Sequence, residues 1–127
     1  MAAFAEALAI NKTLQTLNLG GLELDDDNAK VIANALQKNE MLRELNLEEN
    51  EIGDVGATSL ASALKKNNTL QTLSLNCNRI GDAGATSLAG ALEKNDTLRE
   101  LGLNSNRISA AMKKVLQARA DPPHISV

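Results

Sequence analysis

Aromatic residues are almost absent from this sequence, since Phe4 is the only one and there is no Trp or Tyr. Proteins that bind single-stranded nucleic acid usually stack bases on aromatic side chains beside a basic groove. The formal net charge of −3 offers no such basic surface, so we expect no nucleic-acid partner. A core with so few aromatics has to be built from Leu, Ile, Val and Ala.

Cysteine and long apolar runs are scarce as well. The single cysteine, Cys77, excludes a disulfide within the chain, so nothing indicates an oxidising compartment. No apolar run approaches the roughly 20 residues of a membrane-spanning helix. The first ten residues, MAAFAEALAI, lack the basic lead of a signal peptide. We therefore expect a cytoplasmic protein that makes no contact with a membrane.

What the sequence does contain is a recurring leucine pattern. The segments LQTLNL, LRELNL, LQTLSL and LRELGL begin at Leu14, Leu42, Leu70 and Leu98, each 28 residues after the one before. Apolar and polar residues alternate in these segments, which predicts short strands with one buried face. Such a unit cannot bury its apolar face alone, so neighbouring units must stack. Residues at equivalent positions of successive repeats are called a column below.

A helix is predicted after each strand. In the unit from Leu42 to Thr69, the apolar residues that recur at helical spacing are Ala57, Leu60, Ala61 and Leu64. Asp54, with Asp26 and Asp82 in the same column, suits the N-cap of the helix. The asparagines of a second column suit the left-handed conformation that often ends a helix: Asn11, Asn39, Asn67 and Asn95.

The pattern L-x-x-L-x-L-x-x-N-x-I starts at Leu42, Leu70 and Leu98, and it resembles that of leucine-rich repeat proteins. The 28-residue period resembles the ribonuclease-inhibitor-like subclass, and IGDVGATSLASALKKNNTL is similar to repeats of NOD-like receptors. The resemblance implies an α/β fold, a right-handed solenoid bent into a horseshoe arc, with a parallel sheet on its concave side and helices on its convex side. Leu22 stands where the family has Asn, so we expect the asparagine ladder to be broken there.

The repeats predict one leucine-rich repeat domain, residues 1–120, and a C-terminal tail, residues 121–127, that frays. The domain divides into a partial repeat at 1–13 and further repeats at 14–41, 42–69, 70–97 and 98–120. Because it starts inside a repeat, the sequence is what a piece of a longer chain would look like. Strands are expected near 16–19, 44–47, 72–75 and 100–103. Helices are expected near 2–10, 27–38, 55–66, 83–94 and 110–119.

Four carboxylates crowd into the segment NLEENEIGD, residues 46–54, and such a group can hold a metal ion or act in acid–base catalysis. Their columns separate them, however. Asp54 lies in the capping column, whereas Glu48, Glu49 and Glu51 lie in variable positions that face solvent. We therefore expect no metal, no cofactor and no catalytic site, and we do not expect an enzyme.

Stacked strands should present a continuous polar surface on the side away from the helices, which we call the ledge. It consists of outward-facing strand residues and of loop residues at the strand ends, and it changes from acidic in the early repeats to basic in the late ones. We predict that a protein partner, whose identity the sequence does not give, binds the ledge. The ledge residues are Thr16, Asn18, Glu44, Asn46, Glu48, Glu49, Glu51, Thr72, Ser74, Asn76, Arg79, Glu100, Asn104 and Arg107.

The resemblance leaves two other functions open. One branch of the subclass activates GTPases through polar residues of the rim, for which Asn76 and Arg79 would be the equivalents here. Another similar domain, the tropomodulin repeat domain, caps actin filaments. The sequence also predicts a weak homodimer, because the first strand has no earlier strand to pair with. Phe4 shares a column with Ile32 and is expected in the core.

Overall fold

The computed structural model describes residues 1–119 and 121–127, and helices alternate with strands throughout these ranges. The elements in chain order are α1 (Ala2–Ile10), β1 (Thr16–Asn18), α2 (Asp26–Lys38), β2 (Glu44–Asn46), α3 (Asp54–Leu64), β3 (Thr72–Ser74), α4 (Asp82–Leu92), β4 (Glu100–Gly102), α5 (Ala110–Gln117) and β5 (His124–Ser126). The strands form one parallel sheet in the order β1-β2-β3-β4-β5. Each helix packs on the next, so the chain is an α/β solenoid of two layers.

Four strands and five helices were predicted, and their positions are confirmed within two residues at each end. The core lies between the two layers and is aliphatic, as the composition requires. The central residues of β1 to β4 are in register as Leu17, Leu45, Leu73 and Leu101. All of these except Leu17, which lies in the edge strand, are fully buried. The outward-facing residues on either side of them are polar, or Gly in β4, and point away from the helices.

The C-terminal tail differs from the prediction that it frays. Residues His124–Ser126 form β5, which pairs with β4 and places Ile125 beside Leu101. Ile125 is buried, and the Leu103 N–H donates a 2.7 Å hydrogen bond to the Ser126 carbonyl. The apolar face of β4 thus gains a cover that a frayed end would not provide. Within the described ranges, no helix is long and apolar enough to cross a membrane.

Buried asparagines join the turns that follow the strands. Asn50, Asn78 and Asn106 each use their amide nitrogen to bond carbonyls of their own turn and of the preceding repeat. Their amide oxygens accept N–H groups of the preceding turn, as Asn78 does from Ile52 at 3.0 Å. Leu22, in the same column, makes no such bond and is 55% exposed, so this ladder starts at Asn50.

A second asparagine column closes the helix ends, but not in the predicted conformation. Asn11 and Asn39 are extended, with φ of −66° and −70°, not left-handed. Asn39 is buried because its side chain reaches back: its Nδ2 donates to the Leu8 carbonyl at 2.7 Å. Its Oδ1 accepts from the Leu42 N–H, also at 2.7 Å. The same bonds recur at Asn67 and Asn95. The residue type was therefore selected by hydrogen bonds between repeats rather than by backbone conformation.

The aspartate column also acts between repeats, and the prediction that these residues cap their own helices is wrong. Asp26 accepts the Gly53 N–H at 2.6 Å, and Asp54 accepts the Gly81 N–H at 2.7 Å. Gly53 and Gly81 are the N-cap residues of α3 and α4, and neither has a side chain that could cap. Each aspartate thus caps the helix of the next repeat. The α2 helix is an exception, because Asp25 and Asn28 form a capping box within it.

The expectation that Phe4 is a core residue is also not met. Phe4 is 39% exposed, whereas Ile32, Leu60 and Leu88 in its column are fully buried. The difference has a simple cause: each of the other three lies between two helices, and Phe4 lies on α1, which packs against α2 alone.

Candidate protein-binding ledge

The ledge is built by the in-register pairing of the strands. Thr16, Glu44, Thr72 and Glu100 form one row, and Asn18, Asn46, Ser74 and Gly102 form the next. Parallel strands lie about 4.8 Å apart, so each row sets its side chains at that spacing. Both rows run across the repeats, and a bound partner would meet the same kind of position once per repeat.

The side chains of the second row are held in place by the backbone. Asn18 Oδ1 accepts the Gly20 N–H at 2.9 Å, and Asn46 Oδ1 accepts the Glu48 N–H at 2.7 Å. Ser74 interrupts this series, and an asparagine one step further along takes up the same function. Asn76 Oδ1 accepts the Asn104 N–H at 2.8 Å. These bonds fix the amide groups before any partner binds.

Glu48 is the centre of a network that links two repeats. Its carboxylate accepts hydrogen bonds from Ser74 Oγ at 2.6 Å and from Asn76 Nδ2 at 2.7 Å. The hydroxyl of Ser74 and the amide of Asn76 hold the pKa of the Glu48 carboxyl below its ordinary value. The ledge therefore presents a fixed, ionised carboxylate at the ends of β2 and β3.

Gly102 makes room for this network. A Cβ atom at position 102 would lie 2.9 Å from both terminal atoms of the Asn76 amide, which is closer than real contacts allow. The row thus ends in a residue without a side chain because Asn76 occupies the space above it.

The rim of the ledge has an ion pair where its charge changes sign. Arg79 Nη2 lies 3.2 Å from Glu51 Oε1, and both side chains are about half exposed. Such a surface pair contributes little to stability, but it holds both side chains over the turn. Glu49 and Cys77, one turn inside the rim, have φ of 55° and 57°, which is the left-handed region. Arg107 lies at the far end of the rim and is exposed.

An open groove crosses the early half of the ledge. Its volume is about 480 Å³, and most of its lining comes from the two rows of β1 to β3. The residues that line it are Thr16, Leu17, Asn18, Glu44, Leu45, Asn46, Thr72 and Ser74. Six of these are predicted ledge residues. Glu100, Asn104 and Arg107 lie beyond the groove on later repeats.

The four carboxylates of residues 46–54 do not meet. Glu48 bonds to Ser74, Glu51 pairs with Arg79, and Asp54 caps α4. Among residues 1–119 and 121–127 there is no group of His, Cys, Asp or Glu side chains that could hold a metal ion. The arrangement can therefore form hydrogen bonds and ion pairs with a partner, which is the chemistry of binding.

Two residues of the ledge were missed by the sequence analysis. His124 extends the first row beside Glu100, and Ser126 extends the second row beside Gly102. The tail contains no full repeat, so its relation to the others could not be seen from the 28-residue period. The signal that was present is the alternation in HISV, where apolar Ile125 lies between two polar residues.

Comparison with protein families finds one match within this chain. A model described as Leucine Rich repeat matches residues 38–61 and 66–89, two successive repeats. Among curated proteins none matches significantly. Solved structures match more widely, with 56 chains similar to this one, so the fold alone does not identify a partner.

Two of these structures cover most of the chain. "Leiomodin-1 Actin-Binding Site 2 (ABS2)" is 29% identical with a TM-score of 0.78, over 91% of this chain and 67% of that chain. The "Structure of Chaetomium Mex67:Mtr2 subunits" is 20% identical with a TM-score of 0.58, over 91% of this chain and 82% of that chain. The second similarity concerns the fold alone.

Proposed function

This chain is a leucine-rich repeat protein, and we propose that it acts as an interaction scaffold that binds another protein across the ledge. The observation that carries the proposal is the network around Glu48. Three polar side chains from two repeats are fixed there by hydrogen bonds and stay accessible to a partner. Groups that are ordered before binding lose little conformational entropy when the complex forms.

The shape of the ledge supports a macromolecular partner rather than a small substrate. Small-molecule sites are enclosed and mostly apolar, whereas the groove here is open and its lining is largely polar. Two aliphatic side chains, Leu17 and Leu45, form its floor. An extended or convex protein surface could contact several repeats at once, and the repeats would each contribute one set of polar contacts.

The second candidate is an actin-binding function, and the similarity to the leiomodin-1 site favours it. That structure's name assigns actin binding to leiomodin-1, and this chain aligns with it over nearly its full length. Activation of a GTPase has no comparable support. Asn76 and Arg79, the side chains it would require, are engaged with Glu48 and Glu51.

Photo-crosslinking from the ledge tests the scaffold proposal and does not require that the partner be identified first. A crosslinking amino acid is placed at Thr72, in the middle of the ledge, and in a matched protein at Ser62, which is exposed on α3. We expect a specific adduct in cell extract from position 72 and none of the same mass from position 62. Equal adducts from both positions, or none from position 72, would contradict binding on the ledge.

Filament pelleting and filament elongation assays test the actin candidate. We expect the wild-type chain to sediment with actin filaments or to slow their elongation. The variant Thr72→Arg should lose the effect, and Ser62→Arg should retain it, because the same new charge lies on the helix layer. Loss in both variants would place the contact elsewhere, and no effect of the wild type would leave the scaffold with a partner other than actin.

A further inference from the structure

Exposed apolar side chains concentrate at the N-terminal end of the solenoid. Of the large hydrophobic residues that are exposed in the described chain, most belong to α1, β1 and the loops around β1, and only Val55 and Val115 lie elsewhere. The set, which we call the N-terminal face, consists of Met1, Phe4, Ile10, Leu14 and Leu22. Exposed apolar patches of this kind are typical of surfaces that contact another protein.

The columns show that this face has the chemistry of an interface between repeats. Leu14 is 37% exposed, whereas Leu42 and Leu70 in its column are fully buried. Phe4 stands in the same relation to Ile32. The side chains that are exposed here are thus of the kind that pack against a neighbouring repeat elsewhere in the solenoid, and a partner of the same construction would bury them.

The edge of the sheet gives the contact a direction. On its β2 side, the Gln15 carbonyl accepts the Arg43 N–H at 2.8 Å, and the Leu19 N–H donates to the Asn46 carbonyl at 2.8 Å. Backbone groups alternate in direction along a strand, so the N–H and C=O groups of Thr16 and Asn18 point to the open side. An open edge of this kind accepts another strand.

A second copy fits this edge better in a two-fold than in a head-to-tail arrangement. Head-to-tail stacking would place the N-terminal face against the opposite end of the solenoid, where α5 exposes Lys113 and Lys114. Those charges would lose water against an apolar surface, which is unfavourable. A two-fold arrangement places apolar side chains against the same set in the other copy. It also needs no helix cap from its neighbour, because α2 is capped by its own Asp25 and Asn28.

We propose that this chain forms a homodimer by antiparallel pairing of β1 with β1 of a second copy, with the N-terminal faces buried against each other. The two sheets then join into one across the dyad. Thr16 of one copy lies opposite Asn18 of the other, and Leu17 lies beside the axis. Such an interface is isologous and closes at two chains.

Analytical ultracentrifugation at increasing concentration tests the association. We expect the average mass to rise from one chain of 13.5 kDa towards twice that value. Ile10 is 77% exposed, so Ile10→Lys should fold normally and raise the dimer dissociation constant by about tenfold or more. Val55→Lys, an equally exposed apolar residue outside the face, should leave the constant unchanged. A strict monomer at every concentration, or equal effects of both variants, would overturn the proposal.

Two substitutions at one residue test the strand edge. Thr16→Pro removes the N–H that points to the open side and should abolish the dimer. Thr16→Val keeps this N–H and should retain the dimer. Circular dichroism and thermal melting verify that both variants are folded. A dimer that survives Thr16→Pro in a folded protein would show that β1 is not the contact.

Disulfide formation between two different variants tests the register. Thr16→Cys and Asn18→Cys are prepared separately with Cys77→Ser and then mixed under oxidising conditions. Opposite residues of a hydrogen-bonded antiparallel pair have Cα atoms about 5.5 Å apart, within the range that a disulfide spans. We expect the mixed disulfide to dominate over either homodisulfide. Predominant homodisulfides would exclude the antiparallel register.

Discussion

Asn78 shows at the scale of one residue how the repeats are joined. It is buried in the turn after β3, donates to the carbonyls of Leu47 and Leu75, and accepts the Ile52 N–H at 3.0 Å. Asn78→Ala would leave these buried backbone groups without partners, each at a cost of about 1–3 kcal/mol. We expect the free energy of unfolding in urea to fall by more than about 2 kcal/mol.

Asn68 provides the control for this experiment. It is exposed in the loop before β3, and Asn68→Ala should change stability by no more than about 0.5 kcal/mol. Similar losses in both variants would mean that the asparagine ladder is not what stabilises the turns.

Glu48 makes a second prediction at this scale, and it concerns pH. Hydrogen bonds from Ser74 and Asn76 lower the pKa of the folded carboxyl, so the unfolded chain binds a proton more readily. The stabilising contribution is therefore fully present above the unfolded pKa and is lost as pH falls through the folded pKa. Unfolding in urea should show Glu48→Gln as less stable than wild type at neutral pH, with the difference shrinking in acid. A constant difference across that range would contradict the network.

Helix α4 contains two glycines that test packing at the scale of an element. A Cβ atom on Gly84 would lie 2.8 Å from Asp54 Oδ1 and 2.9 Å from Ile80 Cγ2, whereas nothing lies within 4 Å of a Cβ on Gly90. Gly84→Ala should force α3 and α4 apart and cost about 1–3 kcal/mol. Gly90→Ala should stabilise the protein by up to about 1 kcal/mol through helix propensity. Thermal melting of the two variants should therefore shift in opposite directions, and shifts of the same sign would contradict the close approach at Gly84.

The elements also show what could be predicted from the sequence. Alternation around Leu45 and helical spacing around Leu60 are local patterns, and they located β2 and α3 correctly. The role of Asp54 could not be found in this way, because its partner, the Gly81 N–H, belongs to the next repeat. An aspartate before a helix has the same local pattern whether it caps its own helix or its neighbour. The Glu48 network was missed for the same reason, since its donors Ser74 and Asn76 come from another strand.

Strand β5 allows a prediction at the scale of the whole molecule. Repeat arrays gain stability from contacts between nearest neighbours, so damage at one end should stay local. Ile125 is buried beside Leu101, and Ile125→Ala should release β5. Hydrogen exchange should then accelerate at the Leu103 N–H, which bonds to the Ser126 carbonyl, while the Leu75 N–H in the interior stays protected. His124→Ala, at an exposed position, should leave both rates unchanged, and acceleration at Leu75 would indicate a single cooperative unit.

The reach of Asp54 towards the next repeat and of Asn78 towards the previous one has an evolutionary consequence. Each unit carries both halves of the joint, an acceptor for the helix after it and an amide for the turn before it. If the gene segment for residues 70–97 were duplicated in frame, the new boundary would find an aspartate and an asparagine already in place. Such a copying event would lengthen the protein by one whole unit without any compensating mutation, so descendants of this gene can differ in length by multiples of that unit and still fold.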